Sequence, residues 1–179
     1  MVKLRIATPD DAVTLADIYN YYVENTNISY EYAKVSYEDF KNRIIEISKA
    51  FPYIVAYEDN KIIGYAYSHS FRERKAFSWG TELSMYLDKN CKAKGTGTML
   101  MEKILSMLKS MNFVIAYSFV DEPNPASTAL HEKFGFEKVA TLNNTGFKNG
   151  KWCSAYIYEL VIGNFDKPNE IDRDWQKYF

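Results

Sequence analysis

Histidine and cysteine are nearly absent, with two of each in 179 residues. Cys91, Cys153, His69 and His131 do not reach the number or spacing of a zinc cage, so no metal is expected. Two isolated thiols suit a reducing compartment better than a disulfide framework. Eight glycines and five prolines are too few for a collagen-like or low-complexity chain. A long apolar run is also missing. The strongest, Phe113 to Val120, falls far short of the ~20 residues a spanning helix needs. Val2, Leu4 and Ile6 alternate with Lys3 and Arg5, unlike the continuous apolar stretch of a signal peptide. A cytoplasmic protein without a membrane partner is expected. Neither charge sign is in excess: 22 Lys+Arg against 23 Asp+Glu give a net charge of −1. No overall positive field draws in nucleic acid, and none is expected as a partner.

Apolar and aromatic residues are abundant, at 47% and 16%, with 15 tyrosines. Outside a basic groove, aromatics on this scale read as core and pocket walls rather than a base-stacking surface. The length is that of one domain, able to bury roughly two-thirds of the surface its unfolded chain exposes. The alternation at residues 2–6 predicts a half-buried strand. Thr8-Pro9-Asp10-Asp11 reads as a helix start, followed by Leu15, Ile18, Tyr19, Tyr22 and Val23 at helical spacing. Ser36 opens a second helix with Phe40, Ile44 and Ile47 as its stripe. Tyr53–Glu58 and Ile62–Ser68 flank a hairpin signal, and Trp79–Leu87 is a third strand-like run. Residues 95–111 form a strong helix. Phe113–Val120 reads as a central strand apolar on both faces. Asn124–Phe134 is a short helix, and Phe136–Leu142 and Trp152–Leu160 are closing strands. The order β-α-α-β-β-β-α-β-α-β-β implies an α/β architecture of the α+β kind, one mixed sheet with helices on its faces. Residues 1–162 read as a single domain and 163–179 as a C-terminal extension whose Trp175, Tyr178 and Phe179 dock on it.

The chemistry-bearing segment is a strand, a basic glycine-bearing turn and a helix start: Leu83–Leu87, then Lys92-Ala93-Lys94-Gly95-Thr96-Gly97-Thr98. Free backbone N–H groups and the helix dipole make such a turn an anion site, and missing Cβ atoms let a ligand approach. It lacks the lysine of a Walker P-loop, and Leu100 stands where a dinucleotide fingerprint needs its third glycine. The turn instead resembles the acyl-CoA pyrophosphate loop of the GNAT acetyltransferases, [RQ]-x-x-G-x-[GA]. Lys92 stands at the first position, keeping the charge without the planar fork of arginine. Downstream, Asn124-Pro125-Ala126-Ser127-Thr128-Ala129-Leu130-His131-Glu132-Lys133-Phe134-Gly135-Phe136 is similar to the GNAT signature N-x-x-S-x-x-L-[YH]-E-K-x-G-F. Tyr19-Asn20, Asn25-Thr26, Val35-Ser36, Ser70-Phe71-Arg72, Thr81-Glu82 and Gly150-Lys151-Trp152 resemble the phosphinothricin-type N-acetyltransferases in particular, over residues 2–160.

The resemblance implies a GNAT-like acyl-CoA N-acyltransferase fold and acetyl-CoA as co-substrate. The pyrophosphate would lie on Lys92, Lys94, Gly95, Thr96, Gly97 and Thr98. Pantetheine would pair with Met85, Tyr86 and Leu87, with Asn124 on its arm and Ser127 toward the phosphate end. Glu82 is a carboxylate in an otherwise apolar strand and fits a general base for an α-amine whose pKa is about 8. His131 would protonate the departing thiolate, help remove the amine proton, or pack helix against sheet. His69 has no motif around it and reads as structural. Phe71, Arg72 and Tyr30 are expected at the acceptor cleft, Arg72 to grip a carboxylate or phosphinate. The expected reaction is acetylation of the α-amine of a small amino acid analogue by a homodimer. The alternatives are a non-catalytic acyl-CoA-binding module and an enzyme acting on a protein or peptide amine.

Overall fold

A computed structural model describes residues 1–179. Seven strands form one sheet in the order β1-β2-β3-β4-β5-β7-β6. They are β1 (Lys3–Ile6), β2 (Tyr53–Glu58), β3 (Lys61–Ser70), β4 (Gly80–Leu87), β5 (Ile115–Glu122), β6 (Glu137–Lys148) and β7 (Lys151–Val161). Every neighbouring pair is antiparallel except β4 and β5, which run parallel. That crossover carries α3 (Thr96–Ser110), as a parallel connection requires.

The sheet separates two cores. Helices α1 (Ala12–Asn25) and α2 (Tyr37–Ser48) cover one face through Leu15, Ile18, Phe40 and Ile44, which meet Tyr53, Val55 and Tyr65. On the other face α3 buries Leu100, Met101, Ile104, Met107 and Leu108 against Ile54, Ala66, Leu83 and Ala116. The short α4 (Pro125–Lys133) follows β5. Trp175 of the tail is 1% exposed and belongs to the α3 core, its indole N–H donating to the Ser48 carbonyl at 2.8 Å.

Three local expectations shift. Pro9–Asp11 is a 3-10 turn and the helix proper begins at Ala12, because Asp11 is drawn back into a two-pronged pair with Arg5, both contacts 2.7 Å, and accepts the Thr8 amide. β6 runs on to Lys148 rather than ending at Leu142. Register shifts between Lys138 and Ala140 and between Leu142 and Gly146 absorb a stretch whose Asn-Asn-Thr-Gly composition reads as a turn. The central apolar strand begins two residues later, at Ile115, and stands between β4 and β7.

Candidate active site

β4 and β5 pair only from Gly80–Ile115 to Leu83–Ser118 and then splay. β4 continues on β3 through Met85, Tyr86 and Leu87, and β5 continues on β7 as far as Glu122. The strand edges left unpaired between them border a cleft of about 320 Å³ that passes through the sheet. Ser84, Tyr86 and Phe119 line it from the α1/α2 side, and Met101, Leu130 and His131 from the α3/α4 side. Such a gap offers backbone N–H and C=O groups to an extended ligand. Tyr22 holds it open by donating its hydroxyl to the Leu87 carbonyl at 2.6 Å, tying α1 to the end of β4.

At the outer mouth the turn 88–95 feeds α3. Gly95 takes φ +87° at the helix N-cap, a conformation in which L side chains are strained, and no atom lies within 4 Å of where its Cβ would be. The Thr96 hydroxyl donates to the Ala93 carbonyl at 2.8 Å, which closes the turn and leaves the first α3 amides to a ligand. A Cβ on Gly97 would meet Leu130, Met85 and Leu87 at 3.3–3.9 Å, so this glycine sets the width of the mouth. Lys92 and Lys94 are exposed beside it. Lys133 of α4 donates to the Thr98 hydroxyl at 3.1 Å and adds a cation that sequence reasoning did not assign, although it lies inside the second motif. These groups together fit a pyrophosphate.

Asn124 caps α4, its side-chain oxygen accepting the Ser127 amide at 3.2 Å, and both residues line the cleft. His131 is 5% exposed, edge-on to Phe136 and stacked on Tyr158. Its Nδ1–H donates to the Ser127 carbonyl at 2.8 Å, and burial pulls the imidazole pKa below its ordinary value. The ring is therefore neutral at pH 7, with Nε2 unprotonated.

Glu82 is placed one residue before the splay, opposite Tyr117 of β5 and opposite His69 of β3. Its side chain is 29% exposed, and His69 Nε2 lies 3.9 Å from its Oε1. Thus the two residues read separately in the sequence, one as base and one as structural, are cross-strand neighbours. Only the β3–β4 register brings them together. Phe71 stacks on Tyr117 at 4.0 Å, next to Glu82, and the exposed Arg72 lies over the Phe71 ring. Tyr30 is edge-on to Phe119 and donates to the buried Asp121 at 2.9 Å, so its hydroxyl is engaged in the wall.

The wall is closed from the far side by the β6–β7 hairpin. Lys148, 3% exposed, donates to the carbonyls of Val23 (2.7 Å) and Ser29 (2.5 Å). Asn149 donates to Asn27 at 2.9 Å, and Tyr32 donates to the Phe147 carbonyl. Sequence reasoning passed over Lys148, since a lysine on a terminal strand ordinarily faces solvent.

Known proteins share this fold. The family described as Acetyltransferase (GNAT) domain matches residues 4–157. A phosphinothricin N-acetyltransferase of Streptomyces coelicolor is 28% identical over 165 residues, 90% of this chain and 96% of its own. An L-methionine sulfoximine/L-methionine sulfone acetyltransferase of Salmonella typhimurium is 24% identical, over 94% of this chain and 99% of its own. The crystal structure of a GNAT superfamily phosphinothricin acetyltransferase from Sinorhizobium meliloti in complex with AcCoA superposes with a TM-score of 0.89, at 31% identity and 94% coverage of both chains. With the splayed sheet, the glycine turn and the α4 signature all in place, the chain belongs to the GNAT acetyltransferase family and is an acetyl-CoA-dependent N-acetyltransferase.

Proposed function

We propose that the acceptor is the α-amine of a small amino acid or analogue, of the phosphinothricin and methionine sulfoximine or sulfone type, and that Glu82 is the general base. The observation that carries this reading is the position of Glu82, on the α1/α2 face one residue before the last β4–β5 pair. There a carboxylate meets an amine approaching from that face while the thioester enters through the gap. Glu82 takes the amine proton, the nitrogen attacks the acetyl carbon, and the C–N bond forms as the C–S bond breaks. A backbone N–H of residues 85–87 bears on the carbonyl oxygen as it gains charge. CoA thiolate leaves through the cleft and takes its proton from solvent. His131 is assigned to the cleft wall: burial disfavours the imidazolium that would donate to the thiolate. Arg72 and Phe71 are assigned to the acceptor's acidic and apolar parts, and Tyr30 to the wall behind it.

The hydrogen-bonded closure of the hairpin over residues 23–32 favours a small acceptor over a polypeptide, which needs an open groove. A homodimer in the cytoplasm completes the reading. Phe147 and Trp152 stand exposed and edge-to-face on the β6–β7 hairpin, an aromatic patch suited to a symmetric interface, and both cysteines are free.

The test is thiol release from acetyl-CoA across a panel of free amino acids, the named analogues and short peptides. Turnover is expected with acidic or polar amino acid analogues and not with peptides. Glu82→Gln is expected to cut kcat by roughly 10²–10⁴-fold at unchanged acetyl-CoA affinity. Peptide turnover alone, or a Glu82→Gln protein at the parental rate, refutes the corresponding part.

A further inference from the structure

A base that takes a proton in every turnover must lose it before the next, and the surroundings of Glu82 contain a group arranged to receive it. His69 sits directly opposite on β3, so both side chains project from the same face of the sheet. Its Nδ1 is 3.1 Å from the Ser70 carbonyl oxygen. A carbonyl oxygen only accepts, so Nδ1 carries the hydrogen, and in the neutral ring Nε2 is bare. That bare nitrogen is the one facing the carboxylate, at 3.9 Å from Oε1. Two unprotonated acceptors held face to face gain a bond only when one proton comes between them. Removal of a proton from the amine supplies one.

The mount of the histidine suits the task. Thr81, fully buried, donates its hydroxyl to the His69 carbonyl at 2.8 Å and fixes the backbone, while the ring of Tyr67 flanks the imidazole at 5.9 Å. The His69 side chain is 36% exposed and reaches water. The other titratable groups facing this pair are poorer outlets. Tyr117 and Tyr67 are phenols with pKa values raised by burial, Glu159 lies beyond Tyr117 on β7, and the Glu31 carboxylate is held by Arg43 at 2.8 Å.

We propose that His69 is the proton relay of the acceptor site, acting through Glu82; the inference rests on the reading of Glu82 as the base. The Glu82 carboxyl, protonated by the amine, passes its proton to His69 Nε2, which restores the carboxylate and forms an imidazolium. The imidazolium returns that proton to solvent. No bond to substrate is made and no electron moves, so His69 positions and recycles the base rather than touching the reactants.

The experiment measures kcat and both KM values for the full chain carrying His69→Ala, His69→Gln, Glu82→Gln and the His69→Ala/Glu82→Gln pair, with and without imidazole in the buffer. His69→Ala is expected to lower kcat about tenfold, less than loss of the base itself, with the acetyl-CoA KM unchanged. Free imidazole is expected to restore the His69→Ala rate and to leave Glu82→Gln untouched. In the Glu82→Gln background, His69→Ala should cost nothing further, because the two act as a unit. His69→Gln keeps a polar side chain beside the carboxylate but accepts no proton, so it should be as slow as His69→Ala and equally rescued. Full activity of His69→Gln, absence of imidazole rescue, or an equal loss in both backgrounds overturns the relay. If Glu82→Gln is slow while His69→Ala keeps the parental rate, only the relay fails. A Glu82→Gln protein at the parental rate removes the base and the relay together.

Discussion

Replacing Lys148 by methionine keeps the length and apolar stem of the side chain and removes only its ammonium group. That group is buried with two backbone carbonyls as partners, Val23 near the C-terminus of α1 and Ser29 in the following segment. Charge-assisted hydrogen bonds contribute about 1.5–3 kcal/mol each, and an acceptor left buried without a donor costs about 1–3 kcal/mol. Relief from burying the ammonium offsets part of the loss. The net expectation is a destabilisation of about 2–4 kcal/mol, which in a domain of this size lowers the melting temperature by about 5–15 °C. The penalty also depends on pH. Asp121 is buried close by, and burial already raises its carboxyl pKa. The Tyr30 hydroxyl, Lys151 and Lys148 each temper this rise, so the variant, which lacks the Lys148 charge, raises it further. An acid with a raised folded-state pKa favours the fold while protonated, and that contribution is lost as pH rises through the raised value. The destabilisation is therefore smallest toward acid pH and largest at neutral pH. Thermal melts at matched concentration across pH 4–8 measure it, and acceptor KM should rise more than acetyl-CoA KM as the rim over the cleft loosens. A variant that melts within about 1 °C of the parent at pH 7, or whose deficit grows toward acid pH, refutes the reasoning.

Gly97→Val places branched carbon where a Cβ already meets Leu130 at 3.3 Å, at the mouth of the cleft. Overpacking of about 1–3 kcal/mol corresponds to roughly a 5- to 150-fold rise in acetyl-CoA KM and a reduced melting shift from acetyl-CoA; an undiminished shift removes Gly97 from the mouth. Light scattering at micromolar concentration is expected to give twice the chain mass, and Trp152→Glu, at a position 63% exposed, should return it to the monomer value. A monomer before the substitution ends the dimer proposal.

Much of the fold was legible because its signals are local. Tyr19, Phe40 and Ile104 fall on helical stripes, and the alternation at residues 2–6 makes a strand, by the period of their own segments. The glycine turn was legible for the same reason: Gly95, Gly97 and the helix that follows are contiguous, and the signature from Asn124 to Phe136 caps a single helix. Asp11 marks where locality ends. Its sequence context assigns it to the first helical turn, but Arg5 of β1 competes for the same carboxylate and wins with two 2.7 Å contacts.

What sequence determined by itself, then, is the elements with their own periodicity, together with the glycine turn before α3 and the asparagine cap of α4, each contained in one short segment. What only the tertiary structure decided depends on register and on groups far apart in the chain. The parting of β4 from β5 after Leu83–Ser118 is a property of two strands joined through a whole helix. His69 meets Glu82 across 13 residues of chain only because β3 and β4 pair in one register, and a slip of one residue would send the two side chains to opposite faces. Lys148 reaches Val23 and Ser29 across more than a hundred residues, through two bulges that redirect β6. A residue's own neighbours in sequence carry no trace of such partners, because burial and pairing energies act between surfaces that meet only in the folded chain.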